Sequence, residues 1–382
     1  MLPPTVSINR RAAERLAAGH VWVYSSDVSN RGHATPGDVV NVLDPRGRSC
    51  GLAHYSSTSQ ITLRLLGKEF SIPDRIAAAQ RFRDRVVDGS NAYRLISSEA
   101  DQMPALIVDR YADVFVIQSL NQGMDRIQSE VVAALVDRYA PRAIVERNDA
   151  SVRQKEELPL RSGVIYGELA GPVEVTMNGL IFEANLLGGQ KTGVYLDQRE
   201  NYLAAARWGH GNALDCFTSS GGFALHLARS CAQVEGVDSG AGVLATAEAN
   251  RQRNGCDNVR FREADVFDLL AGYRTGGRQF DTIILDPPAF AKSKAQIDGA
   301  VRGYKELNLR GLQLLAPGGT LVTCSCSHHV SEAMLFEAVA EAARDARRSL
   351  RVLERRVQAQ DHPVLLTVPE TLYLKCLFFE ML

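Results

Sequence analysis

From Gln198 onward the chain alternates short β-rich runs with helical stretches, and this alternation limits its fold more than any other feature. NALDCF, AQVEGVD, NVRFREAD, FDTIILD and GGTLVTCS are the β-rich runs. GFALHLARS, GVLATAEANRQRNG and YKELNLRGLQLLAP are among the helical stretches between them. Repetition of this kind is the sequence form of a doubly wound, mostly parallel sheet. In such sheets ligands bind outside the carboxyl ends of the strands, where strand order reverses. Here the first run ends at Asp215, ahead of a Gly221-Gly222 turn. The second ends at Asp238, the third at Asp265, the fourth at Asp286 of DPPAF and the fifth in CSCS, residues 324–327. A single polar strand end carries little meaning; five in register mark a site. RVLERRVQAQ and ETLYLKCLFFEML then read as two more strands, joined by a short loop into an antiparallel hairpin at the sheet edge.

Upstream the texture differs. To about Leu66, HVWVYSSDV, PGDVVNVLDPRG and SCGLAHYSSTSQITLRLL are β-type runs broken by turn signals at Pro36-Gly37 and Asp44-Pro45-Arg46-Gly47. They predict a small β-barrel or sandwich. An amphipathic helix over residues 73–87, strand-like ALIVDRY and DVFVIQSL, a helix over 124–139 and strand-like RAIVERND follow. These predict an α+β module ending near Asn185. The expected domains are therefore 1–70, 71–185 and 186–382, as the 382-residue length allows.

Composition excludes more than it selects. With 45% hydrophobic and 23% charged residues the chain reads as an ordinary globular protein. No apolar run approaches the roughly 18 residues of a bilayer span. MLPPTVSINRRAAERL lacks the apolar core of a signal peptide, so a cytoplasmic location is expected. Net charge is −1, while residues 1–70 hold eight Lys/Arg against five Asp/Glu. That local excess is compatible with phosphate contacts without demonstrating them. Seven scattered cysteines with no C-x-x-C pair point to reduced thiols.

The turn in DCFTSSGGF is not the G-x-G-x-x-G that cradles a pyrophosphate, because Ser219 and Ser220 sit among its glycines. Asp238 nonetheless suits a pair of ribose hydroxyls. A ribose carboxylate without a diphosphate cradle fits S-adenosylmethionine and fits a nicotinamide cofactor poorly.

DCFTSSGGFALHLA, VEGVDSG, READVFDLL, LDPPAFAKSK and SCSHH, in this order and spacing, resemble the class I methyltransferase domain of the bacterial ribosomal RNA large subunit methyltransferase I family. The resemblance covers essentially the whole chain. GHVWVYSSDV with YSSTSQITLRLL is similar to the RNA-binding PUA domain of that family. The stretch from RLISSEADQMPALIVDRY to VERNDASVRQKEEL is similar to its connecting domain. GGQKTGVYLDQREN, residues 188–201, resembles the segment that precedes the first strand and helps close over the cofactor. The implied fold is a Rossmann-like α/β methyltransferase domain with a mostly parallel seven-stranded sheet, behind an α+β linking domain and a PUA-like β-barrel. The implied activity is S-adenosylmethionine-dependent cytosine-5 methylation of large-subunit ribosomal RNA. A homodimer is compatible with the sequence, which does not settle oligomeric state.

The resemblance implies site residues as well. Cys326 of SCSHH would be the nucleophile that adds to carbon 6 of cytosine, with Asp286 at the polar edge of the base. Pro287, Pro288, Phe290 and Lys292 would face that base. Asp215, Phe217 and the Gly221-Gly222 turn would lie near the methionine moiety, Asp238 at the ribose hydroxyls and Asp265 at the adenine amino group. Tyr195, Gln198, Arg199 and Asp286 would complete the cofactor site. Asp197 and Glu200 equally suit capping of the helix that begins there. Cys324, inside LVTC, reads as a buried strand cysteine, although strand alternation puts it on the same side as Cys326.

Two departures and two rivals stay open, and a metal reading has to be weighed. The family usually has glycines, which adopt positive φ freely, where this chain has Gln102, Ala105 and Glu157, so the geometry of the connecting-domain loops is an open question for the structure. D-P-P followed by an aromatic also occurs in methyltransferases of exocyclic amines, and a non-catalytic RNA-binding protein can keep the same fold. Two-cysteine RNA cytosine methyltransferases carry Pro-Cys where this chain has Pro288-Ala289. Cys324, Cys326, His328 and His329 hold soft ligands, but C-x-C on one strand with adjacent histidines does not match structural zinc spacing, so no metal is expected.

Overall fold

The computed structural model describes residues 3–188, 194–291 and 293–382. The chain divides into two compact units. One comprises Met1–Val175, Ala184–Val194 and Gln360–Thr371, the other Thr176–Glu183, Tyr195–Ala359 and Leu372–Leu382.

The first unit begins with β1 (Thr5–Ile8), α1 (Arg10–Ala17), β2 (Trp22–Tyr24), β3 (Val28–Asn30), β4 (Val39–Leu43), β5 (Ser49–Tyr55) and β6 (Ile61–Gly67). The six strands form one sheet in the order β2-β6-β5-β4-β1-β3. Helix α1 falls outside the β-type reading of this region. Its run RRAAERLA is too polar to stand out, and its signal is Asn9, whose side chain accepts from the Ala12 N–H at 2.9 Å. Alternating Val6, Ile8, Val40, Val42 and Leu63 build the core of this sheet.

Next come α2 (Ile72–Val86), β7 (Ala92–Ser97), β8 (Leu106–Tyr111), β9 (Val114–Ser119), α3 (Gln122–Arg126), α4 (Gln128–Tyr139), β10 (Ala143–Asn148) and β11 (Arg161–Gly167). The strands form a second sheet, β11-β10-β9-β8-β7. Ser71 caps α2, and the single helix expected over 124–139 is broken at Ile127, which takes φ −102° and ψ 13°. Buried polar links tie this part of the unit together. Trp22 Nε1 donates to Glu99 at 2.9 Å and Arg64 pairs with Glu156 at 3.2 Å. The guanidinium of Arg83, fully buried in α2, donates to the carbonyls of Arg94 and Asp361 and pairs with Asp101. Such a buried cation is tolerable because its donors are satisfied.

The structure answers the question left open at the missing glycines. Gln102, Ala105 and Glu157 take φ of 56°, 64° and 53°. The left-handed backbone is retained by residues that pay a steric penalty for it. The surrounding fold therefore sets these loops, and residue identity does not.

A two-stranded ribbon, β12 (Val173–Met177) with β13 (Leu180–Ala184), leads into the second unit. Its elements are α5 (Arg199–Trp208), β14 (Asn212–Cys216), α6 (Gly222–Leu227), β15 (Gln233–Asp238), α7 (Ala241–Arg253), β16 (Val259–Glu263), α8 (Val266–Thr275), β17 (Phe280–Leu285), α9 (Ile297–Leu314), β18 (Leu315–Ser325), α10 (Glu332–Ala346), β19 (Leu350–Arg356) and β20 (Lys375–Met381). The sheet order is β16-β15-β14-β17-β18-β20-β19. The first five strands in this order run parallel, and β20 is antiparallel to both its neighbours. Strand order reverses between β14 and β17, which creates the expected crevice.

The expected antiparallel pair at the sheet edge is present, but the loop joining its strands is long rather than short. Residues 357–374 separate β19 from β20, and β20 inserts between β18 and β19. An interior strand of a sheet covered by helices on both faces is apolar on both faces. LKCLFFEML is apolar on both, whereas RVLERR suits the edge that β19 occupies.

Candidate active site at the strand ends

Asp215 is the penultimate residue of β14 and is fully buried. Its Oδ2 accepts from Thr218 Oγ1 at 2.5 Å and from the Ala224 N–H at 3.0 Å. Its Oδ1 is buried and has no partner among the described residues. Burial pushes this carboxyl up to about 7, and the charges of Asp286 and Asp238 push the same way against the two hydrogen bonds. The turn that follows is tightly wound: Phe217 and Ser219 take φ of 65° and 51°, and Gly221 takes 88°. Gly222 is required for a different reason. A β-carbon there would lie 2.4 Å from Cζ of Tyr202, a ring buried against Phe223 at 4.7 Å.

Asp238 closes β15 with each carboxylate oxygen fixed by one backbone N–H, Ser219 on Oδ2 and Gly240 on Oδ1, both at 3.0 Å. Asp265 lies two residues beyond β16, exposed, and caps α8 by accepting from the Asp268 N–H at 3.0 Å. The strand-end pattern that singles it out is thus also explained by a cap. Tyr195 precedes the turn of Leu196–Gln198 that leads into α5. Gln198 is buried and spends its side chain inside the protein, donating to Asp286 Oδ2 at 3.0 Å and accepting from Asn201 at 2.7 Å. Arg199 is buried with its guanidinium 3.5 Å from Glu200. Asp197 does not cap α5, whose cap position is Gln198. Its carboxylate instead accepts from Tyr373 at 2.9 Å. Glu200, in the first turn, ion-pairs with Arg199. Residues 189–193 of the segment upstream lie outside the described residues.

Asp286 directly follows β17, and its N–H donates to the Cys216 carbonyl at 3.4 Å, across the point of strand reversal. Pro287 is buried and Pro288 exposed. Phe290 packs one side of its ring on Tyr304 of α9, 4.7 Å between centroids. Lys292 lies outside the described residues. Beyond the end of β18, Ser327 locks this loop to the fifth strand end. Its Oγ accepts from the Ala291 N–H at 3.3 Å and shares a hydrogen bond with the Tyr304 hydroxyl at 3.1 Å.

The two cysteines of CSCS separate cleanly. Cys324 is fully buried opposite Cys376 of β20, with 3.3 Å between their sulfurs. Burial pushes its thiol well up, with the neighbouring Cys376 and Asp286 adding to the effect. It is a neutral core group. Cys326, one residue past β18, is half-buried and in no disulfide. Lys375 stands across from Ser325 and is buried, its Nζ donating to the carbonyls of Ser327 at 2.7 Å and Tyr373 at 2.9 Å. Burial draws this ammonium down to about 8, while attraction to Cys326 and then Glu332 holds it up. His328 is exposed with its ring 5.6 Å from Tyr373, and Ser331 caps α10.

The structure therefore brings Asp215, Asp238, Gln198, Asp286 and Cys326 to one end of the sheet and leaves Asp265 in a cap. Sequence reasoning did not reach Lys375, Tyr304 and Ser327. Only Ser327 had a local signal, its place in CSCS; the others arrive through pairing and packing. Among the described residues no group of three or more His, Cys, Asp or Glu side chains is arranged to hold a metal ion. No described helix is long and apolar enough to cross a membrane.

Residues 6–68 match a family model described as a PUA-like domain, and residues 153–380 one described as S-adenosylmethionine-dependent methyltransferase. The chain is 43% identical over 371 residues to the ribosomal RNA large subunit methyltransferase I of Shewanella amazonensis, covering 93% of this chain and 94% of that one. Its counterpart in Erwinia tasmaniensis is 39% identical over 372 residues, with the same coverage. Among solved structures, a methyltransferase complexed with SAH superposes with a TM-score of 0.85 at 20% identity, covering 99% of this chain and 100% of that one. A SAM-dependent methyltransferase from Streptococcus mutans gives 0.82 at 20% identity over the same shares. At that identity the likeness speaks to fold alone. The residues present fit the cofactor this family uses. A buried carboxylate oxygen without a partner suits a ligand carrying positive charge, and a pinned two-oxygen acceptor at the next strand end suits a vicinal diol.

Proposed function

The chain belongs to the ribosomal RNA large subunit methyltransferase I family, and from that membership we propose that it forms 5-methylcytosine in large-subunit ribosomal RNA through a covalent adduct of Cys326. The enzyme depends on S-adenosylmethionine, which supplies an electrophilic methyl group on a sulfonium centre. The observation that carries the reading is the contrast between thiols. Cys326 is half-buried at the strand end, beside a buried ammonium, whereas Cys324 and Cys376 are wholly buried.

Carbon 5 of cytosine is a weak nucleophile until the ring is activated. The Cys326 thiolate adds to carbon 6, forming a sulfur–carbon bond and shifting the 5,6 electron pair toward carbon 5. Asp286, held by Gln198, serves the polar edge of the base as the ring takes up a proton. Carbon 5 then takes the methyl group, and the broken bond leaves its electron pair on the cofactor sulfur. Loss of the carbon 5 proton to a base restores the double bond and expels Cys326 as thiolate. Cys324, buried and protonated, is unsuited to that last step, so a single thiol serves the cycle. Pro287 and Pro288 offer no N–H and stiffen the loop that faces the base. In this reading Phe290 and Lys292 border the base as well.

For the cofactor, Asp215 Oδ1 would take the positively charged amino end, beside Phe217 and the Gly221-Gly222 turn. Asp238 would take the ribose hydroxyls and Asp265, with its second oxygen, the adenine amino group. Tyr195 and Arg199 would flank the site, while Gln198 acts through Asp286. The PUA-like residues 6–68 would bind the ribosomal RNA.

RNA containing 5-fluorocytosine tests the reading, because fluorine at carbon 5 blocks elimination and traps the adduct. The wild-type protein and Cys324→Ala are expected to give a covalent complex with this RNA, and Cys326→Ala none. Methyl transfer to unmodified RNA that survives Cys326→Ala would overturn the reading in favour of an exocyclic amine as target.

A further inference from the structure

We propose that Lys375 is a positioning residue that holds Cys326 as a thiolate, the two forming an ion pair where β18 ends. The inference rests on Cys326 being the nucleophile. Antiparallel pairing sets Lys375 opposite Ser325, one residue short of Cys326. Its Nζ is drawn over the strand end by the carbonyl of Ser327, the residue after Cys326, at 2.7 Å and by that of Tyr373 at 2.9 Å. Both acceptors are neutral, and an ammonium has three N–H donors. Among the described residues no carboxylate lies within ion-pair distance of this nitrogen. A cation only 4% exposed with no carboxylate in direct ion-pair contact is costly, and Glu332 acts on it only from farther off. Ionisation of Cys326 is the change that supplies the anion.

The other charged and titratable groups around the strand end do not replace Lys375. Tyr304 of α9 is held neutral by burial. Glu332 of α10 and Asp286 after β17 are acids, and a negative charge on either opposes a thiolate. His328 is held toward its neutral form first by the packing around its ring, then by Lys375 and His329. The attraction between Cys326 and Lys375 is the leading influence that keeps the ammonium charged against its burial. By reciprocity the same attraction lowers the thiol. Below the thiol's inflection the pair is thiol and ammonium; between that inflection and about 8 it is thiolate and ammonium, and above about 8 Lys375 gives up its own proton.

The test is the pH dependence of Cys326 alkylation by iodoacetamide in the full-length protein, read by mass spectrometry of the Cys326 peptide. The thiolate alone reacts, so the inflection reports its ionisation. Wild type is expected to inflect below the free-thiol value of about 8.5. Lys375→Gln is expected to move the inflection up by roughly 1–3 units, the effect of an opposite charge at close range. Matching inflections in the two proteins would overturn the proposal. If Lys375→Gln fails to fold by circular dichroism, a wild-type inflection at or above about 8.5 overturns it instead. Alkylation reads the ion pair without RNA or methyl transfer. A lowered inflection with no trapped adduct would therefore sink the nucleophile reading and leave the ion pair standing.

Discussion

Replacing Asp215 by Asn removes the most strongly perturbed carboxyl at the site, and the size of the effect follows from its surroundings. The group is fully buried, keeps one oxygen without a partner and titrates at about 7 against 3.8 for an ordinary Asp. The difference of about 3 pH units corresponds to about 4 kcal/mol at about 1.4 kcal/mol per unit. The sign follows from protons bound. Between these two values the native state holds the proton and the unfolded chain does not, so wild-type stability falls as pH rises from about 4 to about 7, and levels off above. Asn cannot ionise, yet its amide oxygen can still accept from Thr218 and Ala224. The difference in unfolding free energy should therefore move by about 4 kcal/mol in favour of Asp215→Asn between pH 4 and pH 8. Urea unfolding of both cofactor-free proteins across that range measures it, and titrating groups remote from Asp215 cancel in the difference, whereas Asp286 and Asp238, which feel its charge, do not cancel fully. A difference constant to within about 1 kcal/mol would refute the reasoning. The cofactor supplies a second arm. A ligand with positive charge at Oδ1 should stabilise wild type more at pH 8 than at pH 5, and should release protons on binding near pH 6.

Two further outcomes follow from the backbone. Gly222→Ala puts a β-carbon 2.4 Å from the buried Tyr202 ring, so calorimetry should show S-adenosylmethionine binding reduced by at least tenfold or lost; unchanged affinity would mean the turn has room to move. Glu157→Gly relieves a left-handed residue on an exposed turn, and should raise stability by about 0.5–1 kcal/mol in urea unfolding, whereas a loss would mean the carboxylate has a role that its exposure conceals.

Residues whose roles are local were legible in the sequence. Asp215, Asp238 and Asp286 sit at the ends of β-rich runs, and strand periodicity with the glycine turn is enough to put them at one edge of a parallel sheet. Asp265 shows the limit of that logic. A polar residue after a strand is also a polar residue before a helix, and the structure finds it capping α8. Gln198 was legible as a site residue but not as the partner of Asp286, 88 positions away in the chain. The loops at Gln102, Ala105 and Glu157 stayed open in the sequence because propensity speaks for an isolated residue, while a packed fold can hold a left-handed turn against it.

By itself, then, the sequence determined the class of fold, the order of its motifs and the strand ends that line the crevice, because each is written in a window of a few residues. Strand insertion is different. Whether β20 pairs beside β18 or beyond β19 depends on which edge the whole sheet leaves open, and no local periodicity records that. That one choice buries Cys324 against Cys376 and carries Lys375 to the strand end beside Cys326. Tertiary pairing alone makes the two cysteines of LVTCSCSHH chemically unlike, one a core thiol and the other beside a buried cation.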